Sequence, residues 1–227
     1  MKNTIKSALV ATIPVLTGYL VLGFGFGIVL KSAGYGIWLA FAMSFLIYAG
    51  SMQYVAVGLL TGGASWLTVA LTTLMVNARH LFYGISMLER YRFAGKRKPY
   101  LIFALTDETY SLVCSDHAAI GEEQRNDYFF FVSLFDHIYW VVGSVLGAVV
   151  GTLIQFNTEG IDFALTALFI TVFLEQWLTS KQHTPAVIGV LASVLCLLIF
   201  GGENFLIPTM LLIALALCLY KEVPSDV

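Results

Sequence analysis

Uncharged apolar residues run along this chain in stretches longer than a soluble domain carries. Residues 7–30 hold no charge, and neither do 32–78, a stretch long enough for two segments divided near Thr61-Gly62-Gly63. Residues 100–114 are apolar but interrupted by Asp107-Glu108, 128–158 contain one acid, Asp136, and 163–179 contain one, Glu175. Residues 182–202 and 204–220 complete the series. A bilayer's hydrocarbon core is about 30 Å thick, and a helix rising about 1.5 Å per residue crosses it in about 20 residues. The runs are apolar on both sides, without the in–out alternation of a β-barrel strand. The pattern therefore predicts an all-α integral membrane protein, a single transmembrane domain over 1–227. We expect about six full transmembrane helices plus two broken or re-entrant segments, by the length rule.

Composition sharpens this. Of 227 residues, 59% are hydrophobic and 11% charged, against about 45–50% and about 25% in soluble domains. A net charge of −2 leaves no basic surplus for nucleic acid. Cys114, Cys196 and Cys218 show neither paired nor zinc-type spacing, so no disulfide framework, metal or cofactor is expected. The N-terminal run is too long for a signal-peptide core and ends in Gly-Phe-Gly-Phe-Gly, so we read it as an uncleaved first span.

Basic residues orient such a protein, because Lys and Arg concentrate in cytoplasmic loops. The segment 89–98 holds five of the twelve, and Lys2 and Lys6 mark the N-terminus. Both should lie on the cytoplasmic side. Three apolar runs separate them, so one must fail to cross or cross brokenly. The expected one is 36–60, where Ala49-Gly50-Ser51-Met52-Gln53 is small and polar enough to unwind. The halves, about 1–115 and 128–221 with an acidic linker at 116–127, also look alike. Gly36-Ile37-Trp38-Leu39-Ala40 matches Gly160-Ile161-Asp162-Phe163-Ala164, Gln53 parallels Gln176, and Gly18, Gly23 and Gly27 parallel Gly143, Gly147 and Gly151. Secondary transporters are often built from such repeats, with the binding site between them. An inverted repeat would place Glu122 outside, and Lys181 and Lys221 inside.

Charges at mid-membrane cost at least about 2.5–3.5 kcal/mol each, which makes them candidates for function. Asp107 and Glu108 sit in the middle of a short run, suited to holding an ammonium group or a coupling proton, or to capping a helix. Arg79, in Asn77-Ala78-Arg79-His80, either clamps a carboxylate bidentately or snorkels to the interface. Asp136-His137 is either a proton relay or an interfacial pair. Pro14 with Gly18, Gly23, Gly25 and Gly27 suggests a break in the first helix, whose freed N–H groups suit a carboxylate. Gly143-x-x-x-Gly147-x-x-x-Gly151 is a small-residue face that invites close contact with another helix, within the chain or from a partner. Gly23-Phe-Gly-Phe-Gly27 has no βαβ unit around it, and no Walker sequence is present.

Taken together, Pro14-x-x-x-Gly18-Tyr19, Ala49-Gly50-Ser51-Met52-Gln53-Tyr54, Asn77-Ala78-Arg79-His80, Leu105-Thr106-Asp107-Glu108-Thr109-Tyr110, Tyr139-Trp140-x-x-Gly143 and Asp162-Phe163-Ala164-Leu165 resemble the AzlC family, in order along nearly the whole chain. The resemblance implies the larger subunit of a two-component exporter of branched-chain amino acids in the bacterial cytoplasmic (inner) membrane. Valine, leucine, isoleucine and methionine would be its substrates, protons its driving ion and a small AzlD-type membrane protein its partner. On this reading Gly50, Ser51, Gln53, Asn77, Arg79, Asp107 and Glu108 bind substrate, and Asp107, Glu108, Asp136 and His137 carry protons. The competing readings are a channel, a scaffolding membrane subunit, or an intramembrane hydrolase using Ser51 with His80 or His137.

Overall fold

The computed structural model describes residues 2–114, 122–153, 170, 173–174, 177–178 and 182–220. All the regular elements among the described residues are helical. The second copies of the repeat motifs (Gly160–Ala164, Gln176), Glu175, residues 115–121 of the linker, Lys181 and Lys221 lie outside the described residues. The chain divides into two compact units, 1–161 and 162–227.

Among the described residues, three helices are long and apolar enough to cross a membrane, over Asn3–Ser32, Gln124–Leu153 and Thr184–Gly202. The first two form the axis of unit 1 as α1 (Lys2–Ser32) and α8 (Glu122–Leu153). The expected break in α1 is absent: the helix runs through Pro14 and all four glycines. Those glycines serve packing instead. A Cβ on Gly27 would stand 2.1 Å from the Ser144 carbonyl oxygen, and one on Gly147 2.0 Å from that of Phe24. Only glycine lets two backbones approach so closely. The face Gly143 to Gly151 is thus occupied by α1 of the same chain and does not await a partner.

The two helices run in the same direction. Thr4 meets Gln124 at 3.1 Å near their first residues, Gly23 packs against Trp140 and Ser144 midway, and Lys31 covers Gly151 near their last. An inverted repeat pairing these two helices would run them antiparallel, so that expected relation is corrected for this pair.

Between α1 and α8 the chain makes three interrupted excursions. Helix α2 (Ile37–Leu46) leads from the far end of α1 to a turn at Tyr48, a non-glycine residue with φ of 47°. Helix α3 (Gly50–Thr61) then returns the same way. Gln53 bonds Ser44 across the turn at 3.1 Å, and Tyr54 donates to the Leu22 carbonyl farther along α1. So 36–60 folds back toward the end of unit 1 from which α2 sets out. Helices α4 (Trp66–Val76) and α5 (Ala78–Ser86) run toward the other end of unit 1, with an interruption at Asn77. They end where Met87 and Tyr91 pack with Ala8 of α1 and Tyr128 of α8.

Helices α6 (Lys98–Phe103) and α7 (Asp107–Cys114) form a second re-entrant hairpin, from the opposite end. Arg97 pairs with Asp127 at its entry, and Val113 returns to the same cluster as Tyr91 and Tyr128. Sequence suggested that 100–114 exits on the far side. It turns back because Ala104–Thr106 interrupts the helix, and Thr106 caps a new one by accepting from the Thr109 N–H at 3.3 Å. The basic segment and the start of α8 therefore share one end, which corrects the expected external position of Glu122. In unit 2, α9 (Thr184–Asn204, with Gly201 at φ 73°) packs on α10 (Leu206–Leu219).

Candidate functional site

The tips of the two hairpins meet midway along α1 and α8, where the rings of Tyr48 and Phe103 lie 6.2 Å apart. Three half-helices begin there: α3 at Gly50, α5 at Ala78 and α7 at Asp107. Each start carries N–H groups without an intrahelical acceptor and the positive end of a helix dipole. Ser51, Arg79 and Asp107 all stand in these first turns. One guanidinium ties them together: Arg79 Nη2 donates to Ser51 Oγ at 2.7 Å, and Nη1 pairs with Asp107 Oδ2 at 2.5 Å. The two charged side chains are 30% and 32% exposed, so the pair is reachable rather than sealed. Arg79 faces inward and does not snorkel to an end.

Glu108 takes a different direction, accepting from Tyr19 Oη at 2.7 Å. Tyr19 also contacts Thr106 Oγ1 at 2.6 Å, Thr106 reaches Thr109 at 3.1 Å, and Thr109 donates to Asp136 Oδ2 at 2.8 Å. Asp136 is fully buried, and its Oδ1 makes no hydrogen bond. The expected Asp136–His137 relay does not form. Consecutive helical residues do not face each other, and His137 turns to Tyr100, whose hydroxyl lies 3.3 Å from its Nδ1. Aromatic rings enclose the imidazole, Tyr48 at 4.3 Å and Phe45 at 5.5 Å.

Gln53 is also placed differently from expectation. It is fully buried, with its oxygen accepting from Trp140 Nε1 at 2.8 Å and its nitrogen donating to Ser44. It braces the first hairpin against α8. Gly50 serves the same contact, because a Cβ there would stand 2.9 Å from the Trp140 ring. Asn77 is the residue of interruption between α4 and α5, and its carbonyl takes the Nδ1 of His80 at 3.3 Å. Neither His80 nor His137 is seated on Ser51, so the serine–histidine pair a hydrolase would need is not assembled. Tyr19, Thr106, Thr109 and Trp140 stand in the sequence motifs, but no pattern there gave them roles. The one legible signal was Thr106, placed three residues before Thr109 at a helix start.

Comparison with known proteins adds the family. The model described as AzlC protein matches residues 14–154, a stretch that contains every residue of this site. The Bacillus subtilis branched-chain amino acid transport protein AzlC is 46% identical over 92% of this chain and 82% of its own length. An uncharacterized membrane protein of Helicobacter pylori is 42% identical over 96% and 95%. The Escherichia coli inner membrane protein YgaZ is 26% identical over 81% and 78%. No solved structure matches.

Proposed function

The chain belongs to the AzlC protein family, and from that premise we propose that this multi-pass membrane protein transports branched-chain amino acids, outward and at the expense of the proton gradient. The observation that carries the proposal is the convergence of three half-helix N-termini on Arg79. A zwitterion brings a negative and a positive group into a poorly hydrated site, and each needs a partner there. The substrate carboxylate takes the guanidinium fork of Arg79 and the free N–H groups at the start of α3. The ammonium takes Asp107, which the arriving carboxylate displaces from Arg79. One ion pair thus becomes two, and the occupied site is electrically balanced. Gly50 and Gln53 hold the hairpin tip in place, and Asn77 provides the break that brings Arg79 to mid-depth.

Glu108 and Asp136 are the groups we assign to the coupling proton, with His137 as a neighbour rather than a link. Units 1–161 and 162–227 act on this reading as one transmembrane permease subunit in the bacterial inner membrane, together with a small AzlD-type protein. Support for transport, rather than a scaffold, comes from the name of the Bacillus relative and from charged residues kept where a merely structural helix would avoid them. The test is efflux of valine, leucine, isoleucine and methionine from preloaded cells, with and without the small subunit. Accelerated efflux that needs both subunits supports the proposal. Full efflux from this chain alone refutes the partnership, and none in either case refutes the function.

A further inference from the structure

Four contacts join Glu108 to Asp136 through three hydroxyls: Glu108–Tyr19 at 2.7 Å, Tyr19–Thr106 at 2.6 Å, Thr106–Thr109 at 3.1 Å and Thr109–Asp136 at 2.8 Å. A hydroxyl has one hydrogen to give. If both carboxyls are ionised, three hydrogens must serve four contacts. Tyr19 then gives to Glu108, Thr109 gives to Asp136, and Thr106 can satisfy only one of its two neighbours. When Thr106 gives to Thr109, the shortest of the four contacts, Tyr19–Thr106, is left as two oxygens with no hydrogen between them. That is untenable among residues at most 8% exposed, where no water relieves the repulsion. One added proton fills all four contacts. The Thr109 N–H that Thr106 also accepts leaves the count unchanged, since an oxygen with two lone pairs accommodates it.

We propose that Glu108 and Asp136 share a single proton along the Tyr19–Thr106–Thr109 hydroxyl wire, and that its passage from one carboxyl to the other is the coupling step of transport. With the proton on Glu108, every hydroxyl points toward Asp136. Transfer breaks the Glu108 O–H bond, hands one hydrogen along each link and forms an O–H bond at Asp136 Oδ2. All three hydroxyls reverse, and no other reactant is consumed. The wire joins the tip of the second hairpin to both long helices, since Glu108, Thr106 and Thr109 belong to the hairpin, Tyr19 to α1 and Asp136 to α8. Other ionisable groups face it: Asp107 and Arg79 near Glu108, Tyr48 near Tyr19 and both acids, and Tyr100 and Tyr128 near Asp136. His137 is adjacent in sequence but turned to Tyr100. Glu108 follows Asp107 directly, so a substrate ammonium drawn to Asp107 disfavours a proton at the Glu108 end and drives it toward Asp136.

The coupling role rests on the transporter reading, whereas the shared proton does not, and two measurements separate them. Infrared spectra of the purified protein in lipid nanodiscs, with labelled Asp or Glu, count protonated carboxyls at neutral pH. One carboxylic-acid band is expected, and it should vanish in both Glu108→Gln and Asp136→Asn, because either amide supplies the missing hydrogen. A band that survives in either variant belongs to one side chain alone and overturns the sharing, as does a wild-type total, summed over Asp and Glu, other than one protonated carboxyl. In proteoliposomes holding this chain and the small AzlD-type subunit, Thr109→Val should abolish proton movement driven by valine, and Thr109→Ser, which keeps the hydroxyl, should restore it. Wild-type coupling in Thr109→Val overturns the wire even if the band behaves as expected. Wild-type protein reconstituted together with the small AzlD-type subunit that moves no valine refutes the transporter reading and leaves the infrared result to decide the shared proton.

Discussion

Asp107 is assigned two successive partners, Arg79 when the site is empty and the substrate ammonium when it is filled. This makes a specificity prediction that can be sized. Isovalerate is valine without its ammonium group. In the wild type it can take Arg79 only by leaving Asp107 as an unpaired carboxylate. Leaving a buried polar group unsatisfied costs about 1–3 kcal/mol, more for a charge. Because the two side chains are 30% and 32% exposed, water screens part of that cost, and the lower half of the range, about 1–2 kcal/mol, applies. At about 1.4 kcal/mol per tenfold, valine should bind about 5–30 times more tightly than isovalerate. Asp107→Asn keeps the size of the side chain and removes the charge, so isovalerate no longer strands an anion and valine loses its ammonium partner. The preference should then fall to near parity or reverse. Competition by each compound against labelled valine, in detergent or nanodiscs, measures the ratio. A preference unchanged in Asp107→Asn refutes the partner exchange and reduces the Arg79–Asp107 pair to a structural brace.

Further outcomes follow from packing and topology. Gly147→Ala and Gly27→Ala each place a methyl group within about 2 Å of a carbonyl oxygen, and should destabilise by at least the overpacking cost of about 1–3 kcal/mol. Gly18→Ala meets nothing within 4 Å and should melt like the wild type in detergent thermal unfolding. Trp140→Phe leaves the buried Gln53 oxygen without its donor, and should cost about 1–3 kcal/mol in the same assay. Cysteines placed at Gly95 and Glu122 should be labelled from one side of the membrane and a cysteine at Gly34 from the other. Labelling of Gly95 and Glu122 from opposite sides would refute the second re-entrant hairpin.

Much of this arrangement is legible in the residues, and the illegible parts have physical reasons. Uncharged runs announced the spans, and the basic segment at 89–98 together with Lys2 and Lys6 required an even number of crossings. That arithmetic pointed to 36–60 as the broken run, with Ala49–Gln53 as the place to unwind, whereas the chain turns at Tyr48 and Gly50–Gln53 already form the start of α3. The second hairpin was hidden because 100–114 is short and apolar enough to pass as a strained crossing. Only the three-dimensional return of Val113 to Tyr91 and Tyr128 distinguishes the two. The glycines of α1 were ambiguous for a related reason: glycine permits both a broken helix and a close-packed one, and the choice depends on Gly143 and Gly147 more than a hundred residues away. Arg79, Asp107, Glu108 and Asp136 stood out because charge in an apolar run is costly. Their pairing did not, since Asp136 and His137 are neighbours in sequence but face apart on a helix, while Tyr19, Thr106 and Thr109 are unremarkable residue types until a fold strings them together.

The central claim is that Arg79, at the meeting point of three helix N-termini, holds the carboxylate of a transported amino acid. Counterflow of labelled valine in membrane vesicles holding this chain and the small AzlD-type subunit proposed to act with it tests it directly. Wild-type vesicles should exchange internal for external valine, whereas Arg79→Lys, which keeps the charge but loses the planar two-pronged contact, should lose most of that exchange while reaching the membrane in normal amounts. Counterflow at the wild-type rate in the Arg79→Lys vesicles would contradict the claim.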